Sequence, residues 1–176
     1  MRVLILGSDT PLGQSLTELL QKLRRHEVEQ LTRSACRWKS ERQAKKSVVR
    51  AKCEVVVDLR VEAAADGSDQ LQELDLKRCH WVAKACQRGA ITYLFVSSSR
   101  VFSGQLDRPY REEDYPDNET TLGELLVEAE QLVRVSCERF LILRLGPVFS
   151  AAGPNLITQM LSQLRQEGGS LVMDNN

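Results

Sequence analysis

The stretch "MRVLILGSDTPLG", residues 1–13, decides the fold. Arg2–Leu6 is a short continuous apolar run that stops at Gly7, the pattern of a strand buried on both faces. Leu12, Leu16, Leu19, Leu20 and Leu23 then recur at helical spacing. Between strand and helix lies "GSDTPLG", Gly7–Gly13, where a dinucleotide-binding turn belongs. Glycines there let the backbone approach a pyrophosphate, and the helix N-terminus offers N–H donors and a favourable dipole. The outer glycines of a G-x-x-G-x-x-G spacing are present, but Thr10 replaces the middle one. A β-branched residue narrows the approach, although its hydroxyl can donate to a phosphate. Gly7, Thr10, Leu12 and Gly13 are the candidate cofactor-binding positions of the turn. The plainer alternative is an ordinary strand-to-helix turn with Pro11 at the helix start.

The same alternation continues outward. Val28–Thr32 reads as a second strand, and residues 36–51, rich in Arg and Lys, read as a solvent-covered helical crossover. Val55–Leu59 is another buried strand. A helix follows from about Asp69 to Arg88, with Leu71, Leu74, Cys79, Val82, Ala83 and Cys86 inward, closed by "RGA". Tyr93–Val96 and Phe140–Leu145 read as strands, Leu122–Cys137 and Asn155–Gln166 as helices, and Leu171–Met173 as the start of one more strand. Apolar strands alternating with amphipathic helices imply an α/β, doubly wound parallel sheet of Rossmann type, with right-handed crossovers. The whole of 1–176 reads as a single NAD(P)-binding domain. One irregular stretch, Ser97–Thr121, leaves the carboxyl end of a central strand, where open α/β sheets bind ligands.

Composition is that of a globular protein, with 42% hydrophobic and 27% charged residues and a formal net charge of zero. Nothing global points to nucleic acid or a membrane surface, and no apolar run approaches membrane-spanning length. Charge is unevenly placed. Arg33–Lys52 carries eight basic residues against one acid, Glu41, and Glu112–Glu130 carries eight acids and no Lys or Arg. Such blocks read as solvated faces, with a polyanion site or a self-association surface as the alternative. Nucleic-acid binding by the basic block is disfavoured, since Trp38 is its lone aromatic. The five cysteines, Cys36, Cys53, Cys79, Cys86 and Cys137, are odd in number and lack metal-ligand spacing. They read as reduced thiols of a cytoplasmic protein, and no metal site is expected.

Arg33, in "LTRS", stands twenty residues after Gly13. A carboxylate there suits the ribose hydroxyls of NAD, whereas Arg can accept the 2′-phosphate of NADP. Arg33 and Ser34 would therefore favour NADP(H) if a cofactor binds; the alternative is a surface Arg in a basic stretch. Asp58 and Arg60, just past a buried strand, either line the cleft or pair with each other, and pairing is the expectation.

"VSSSRVFSGQLDRPYREEDYPDNETTLGELLVEAE", residues 96–130, resembles the extended short-chain dehydrogenase/reductases, in particular the dTDP-4-dehydrorhamnose reductase (sugar-nucleotide reductase) family. Ser97, Val101, Phe102, Gly104, Pro109, Tyr110, Glu112, Asp114, Gly123 and Glu130 fall on that family's pattern without a gap. The resemblance implies an NADP-dependent oxidoreductase in which a Tyr gives a proton to the developing alkoxide and a Lys one turn on lowers that Tyr's pKa. Ser98 keeps the family's catalytic hydroxyl. Leu122 stands at the catalytic Tyr and Leu126 at the catalytic Lys, while Ser99 and Arg100 replace an Asp and a Tyr. Leucine has no proton to give and no charge to place, and losing positioned acid–base help costs about 10² to 10⁴ in rate.

The resulting expectation is a catalytically impaired homologue that binds NADP(H) or an unknown protein partner through the old active-site cleft. Two rivals stand beside it: an active NADPH-dependent sugar-nucleotide reductase using a non-standard acid such as Tyr115 or Tyr110, and a ligand-free interaction module. The C-terminal substrate region of the family is expected to be truncated or absent. A homodimer through the stripe of Leu125, Leu132 and Val133 is a further expectation, although core packing explains the same residues.

Overall fold

A computed structural model describes residues 1–61, 71–148 and 156–166. Strand β1, Arg2–Leu6, is the centre from which the sheet grows: Val3 and Ile5 enter one face and Leu4 and Leu6 the other, all buried. Helix α1, Pro11–Leu23, returns along the Val3/Ile5 face, laying Leu12, Leu16 and Leu20 on it. Leu19 and Leu23, expected inside, are exposed; buried Gly13 and Thr17 take the inner stripe instead, because small residues let the helix lie close to the sheet. Strand β2, Glu27–Leu31, is an edge strand with little buried surface.

Helix α2, Glu41–Ala51, starts later than its basic run suggests. Residues 36–40 form a loop that buries Cys36 and Trp38, since the Trp38 indole N–H finds the Ser47 hydroxyl at 3.1 Å. After β3, Val55–Asp58, helix α3 covers Glu73–Gly89. The proposed start of that helix, Asp69, lies outside the described residues. Of its expected inner positions Leu74 is exposed, and Leu76 is buried in its stead on the stripe shared with Cys79, Val82, Ala83 and Cys86. Ala90 closes the helix with a positive φ of 52°, its N–H returning to the last turn. Strand β4, Thr92–Ser98, is longer at both ends than its apolar core. A single 3₁₀ turn, Ser99–Val101, opens the irregular segment that leads to helix α4, Thr121–Ser136. Strand β5 is Phe140–Leu145, as the sequence predicts.

All described pairings are parallel, in the order β2-β1-β3-β4-β5. Helices α2, α3 and α4 cover the face carrying Leu4, Leu6, Val56, Tyr93 and Phe95, and α1 covers the opposite one. The architecture is therefore a Rossmann-like α/β fold. The connection from β2 passes over β1 to reach β3, so the direction of winding reverses between β1 and β3. Ligands of open α/β sheets bind outside the carboxyl ends of the strands at such a reversal.

The chain divides into two compact units, Met1–Gly146 and Pro147–Asn176. The first holds the sheet. The second is described through helix α5, Leu156–Gln166; the expected strand at Leu171–Met173 lies outside the described residues. No helix among the described residues is long and apolar enough to cross a membrane.

Candidate functional site

Two places at the carboxyl edge of the sheet matter: the crevice where β1 and β3 diverge, and a cleft at the ends of β4 and β5.

The crevice begins at Gly7, whose φ of +84° needs glycine. The Gly7 and Ser8 amides both donate to the Leu31 carbonyl, at 2.8 and 3.1 Å. Thr10 is the N-cap of α1. It is 1% exposed, its hydroxyl donates to the Gly7 carbonyl at 2.8 Å and accepts the Gly13 N–H at 3.0 Å, and its own N–H donates to the Gly7 carbonyl. Pro11 has no N–H. Of the orphan donors at this helix start, the Leu12 amide is the one left for a ligand. A Cβ on Gly13 would stand 2.3 Å from the Gly7 oxygen, so this glycine serves the closeness of turn and helix.

Arg33 reaches the turn through Asp9, and Ser34 turns to Thr32. The Asp9 carboxylate accepts the Arg33 backbone N–H at 2.7 Å and its guanidinium at 3.4 Å, while the Ser34 hydroxyl meets that of Thr32 at 2.9 Å. Asp58 and Arg60 pair, as expected, through bonds of 2.8 and 2.6 Å. Asp58 is wholly buried and also accepts the Tyr93 hydroxyl at 2.7 Å; strand alternation puts both on the same face. The Arg60 guanidinium lies 5.1 Å from the centre of the Trp38 ring. Burial opposes its charge, but the Asp58 carboxylate outweighs that and raises its pKa well above the usual value. The Tyr93 hydroxyl is pushed up by burial and by Asp58. Cys36 and Cys79 border this network; burial raises Cys36 to about 12 and Cys79 further, so neither is a nucleophile.

The second place is an open cleft of about 450 Å³ lined by Ser99, Arg100, Phe102, Ser103, Gly104, Tyr110, Asn118 and Arg144. Tyr110 stacks on Phe102 with ring centres 4.1 Å apart, and its hydroxyl accepts the Gly104 N–H at 3.0 Å. Asp117 takes the Ser103 N–H and hydroxyl, both at 2.7 Å, and these bonds hold its carboxyl below the ordinary range. Arg144 forms a two-pronged pair with buried Glu130, at 3.0 and 2.7 Å, and covers the Phe102 ring. Asn118 ties the segment to α4. It donates to the Arg100 carbonyl at 2.8 Å and accepts the Thr120 N–H at 2.9 Å. Thr120 in turn caps the Gly123 amide.

Of the catalytic positions inferred from the sequence, Ser98 directly precedes Ser99 of this lining, and Leu122 and Leu126 are not part of it. Ser98 is 7% exposed and its hydroxyl accepts the Arg100 N–H at 3.2 Å, capping the 3₁₀ turn. Leu126 is wholly buried in the core with Ala129 and Val133, and half-buried Leu122 packs on the same cluster. Tyr115 is 90% exposed and Tyr110 is committed to its loop, so neither takes up the position of an acid beside Ser98. The sequence reading missed the Asp9–Arg33 contact and the Glu130–Arg144 pair. A lone Arg in the apolar run "LILRLG" and an acid inside the glycine turn were the available signals. Among the described residues no cluster of three His, Cys, Asp or Glu can hold a metal.

The family model described as "RmlD substrate binding domain" matches residues 1–175. The chain belongs to this family. A curated relative, the spore coat polysaccharide biosynthesis protein SpsK of Bacillus subtilis, is 29% identical over 175 residues, which is 94% of this chain and 60% of the relative. Among solved structures, a dTDP-4-dehydrorhamnose reductase of Clostridium acetobutylicum superposes with a TM-score of 0.82 at 21% identity, over 94% of this chain and 60% of that one. The Bacillus anthracis dTDP-4-dehydrorhamnose reductase, crystallised with NADP, gives 0.79 at 20% identity over the same shares. The family chain described here thus spans about three-fifths of the length of these proteins.

NADP(H) is the cofactor such relatives suggest. The residues at the crevice fit it poorly: the turn keeps one free helix-start amide, the Asp9 carboxylate already sits on Arg33 where a ribose phosphate would bind, and Arg60 is paired with Asp58 at the end of β3. No chemical step is therefore routed through a cofactor.

Proposed function

We propose that this chain is a catalytically impaired member of the sugar-nucleotide reductase family, which keeps the scaffold and the open cleft at β4 and β5 without carrying out reduction. The observation that carries the reading is the state of α4. Leu126 is fully buried among apolar side chains and Leu122 packs beside it, so the helix that should present a proton donor and an ammonium presents hydrocarbon. The surviving Ser98 hydroxyl accepts a backbone N–H of its own turn, and among the described residues no basic side chain bonds to it. Of the two roles open to an impaired homologue, holding NADP(H) or holding a protein partner, the partner is favoured. The phosphate-binding turn spends its donors internally, whereas the β4–β5 cleft stays open and offers Arg100, Asn118 and aromatic Tyr110 at its surface.

The direct test mixes the purified chain with NADPH and a 4-keto sugar nucleotide and follows cofactor absorbance. No consumption above the protein-free rate is the expected outcome, and steady turnover proportional to protein overturns the proposal.

A further inference from the structure

We infer that the crevice between β1 and β3 is closed to dinucleotides by the chain's own charged side chains, with Arg60 as its plug and Asp9 as a built-in competitor for the ribose-phosphate position. The inference concerns binding, not turnover, and so can fail or hold independently of the impaired-reductase reading.

The plug is anchored at the end of β3. Strand alternation sends Val57 and Leu59 to the α1 face, and Asp58 to the face under α2 and α3. A buried carboxylate is tolerated only with partners, and Asp58 gains two: the Tyr93 hydroxyl from β4 and the Arg60 guanidinium. To reach it, the Arg60 side chain folds back over the end of the sheet instead of extending into solvent; it is 9% exposed. Its flat guanidinium is held from above by Trp38, and Trp38 is itself fixed by Ser47 and by the Arg78 side chain, whose Nε donates to the Trp38 carbonyl at 3.1 Å. On the remaining side, the Arg60 amide nitrogen and Cγ come to 3.3 and 3.5 Å of the place where a Gly7 Cβ would stand. Arg60 thus stands across the mouth of the turn, and a ligand entering there meets a side chain already tied to Asp58 and covered by Trp38.

Asp9 closes the outer end by a different route. Its carboxylate accepts both the backbone N–H and the guanidinium of Arg33, the groups that a ribose phosphate would engage. A phosphate competing there meets one carboxylate already in place and must expel it. Thr10 and Pro11 complete the effect by removing three of the four helix-start donors from use.

The test is a titration of the whole chain with NADPH and with NADH, read by protein fluorescence quenching and by thermal shift, since a ligand of the native state raises Tm by mass action. Wild type is expected to show no saturation and no Tm shift up to about 1 mM. Arg60→Ala alone strands Asp58, so the opening variant is Asp58→Asn with Arg60→Ala, which removes both charges together. It is expected to bind either dinucleotide at least about tenfold better than wild type. Adding Asp9→Asn removes the Asp9 carboxylate from Arg33 and should improve NADPH more than NADH. Saturable micromolar binding by wild type overturns the inference, and needs no variant to fold. A folded double variant that binds no better than wild type overturns the role of Arg60, and equal gains for NADPH and NADH on adding Asp9→Asn overturn the role of Asp9.

Discussion

On the proposed reading, the crevice at β1 and β3 and the cleft at β4 and β5 depart from a reductase in opposite ways. In the first, polar side chains are present in abundance but have turned on one another: Asp58 with Arg60 and Tyr93, Asp9 with Arg33, Thr10 with its own turn. In the second, space remains, while the polar groups that would act in it have become Leu122 and Leu126. One region has chemistry without access and the other access without chemistry. On that reading, loss of function at a site need not mean loss of charge, and a buried ion pair that satisfies itself silences a cleft as leucine does.

The sharpest way to break this contrast is to remove one member of the buried pair. Arg60→Ala should cost about 3–5 kcal/mol, because Asp58 is left charged and without its ionic partner in the core; urea denaturation measures it, and a loss below 1 kcal/mol, on the order of a surface pair, would show that the network is not structural. At the other region Leu126→Ala should cost about 2–5 kcal/mol, the range for a cavity at a fully buried leucine, by the same measurement. Leu122→Tyr with Leu126→Lys tests whether chemistry alone is missing. It should remain without NADPH turnover, since the crevice stays shut, and turnover there would mean that access was never lost. Thr120→Ala removes the cap of α4 and should cost about 1 kcal/mol, read as a lowered denaturation midpoint.

A smaller effect concerns acid. The carboxyls of Asp114 and Asp117 are held below their usual range, Asp114 first by the Arg108 guanidinium and Asp117 first by the Ser103 N–H. A carboxyl whose native pKa is depressed adds stability that is fully present above its unfolded pKa of about 4, and that is lost as pH falls through the native value. Amide exchange in residues 103–118 should therefore be independent of pH-driven opening from neutrality down to about pH 4, and accelerate relative to its intrinsic rate below. Early opening near pH 6 would show that these bonds do not hold the segment.

Much of this was open to reading along the chain. Every described strand except the extended ends of β4 falls within a residue of its expected range; for central β1 and β3 the reason is burial on both faces, which leaves few polar positions to blur the signal. Helix stripes were less legible. Leu19, Leu23 and Leu74 lie on helical spacing yet are exposed, since period gives a stripe but not its width, and Gly13 and Thr17 carry the close approach of α1. The match of Leu122 and Leu126 to the family's Tyr and Lys positions rests on residue type and resemblance alone, since a missing proton donor is a property of residue type.

What the linear order could not supply is which polar groups find one another. The pairing of Asp58 with Arg60 is local and was expected, but its tie to Tyr93 across the sheet and its cover by Trp38 depend on register and on a loop buried after β2. Asp9 meets Arg33 across 24 positions for the same reason. Residue type and period determined the alternating fold; three-dimensional packing alone decided which charged side chains meet, because a hydrogen bond is settled by distance in space and sequence carries distance only along a helix turn or a strand repeat.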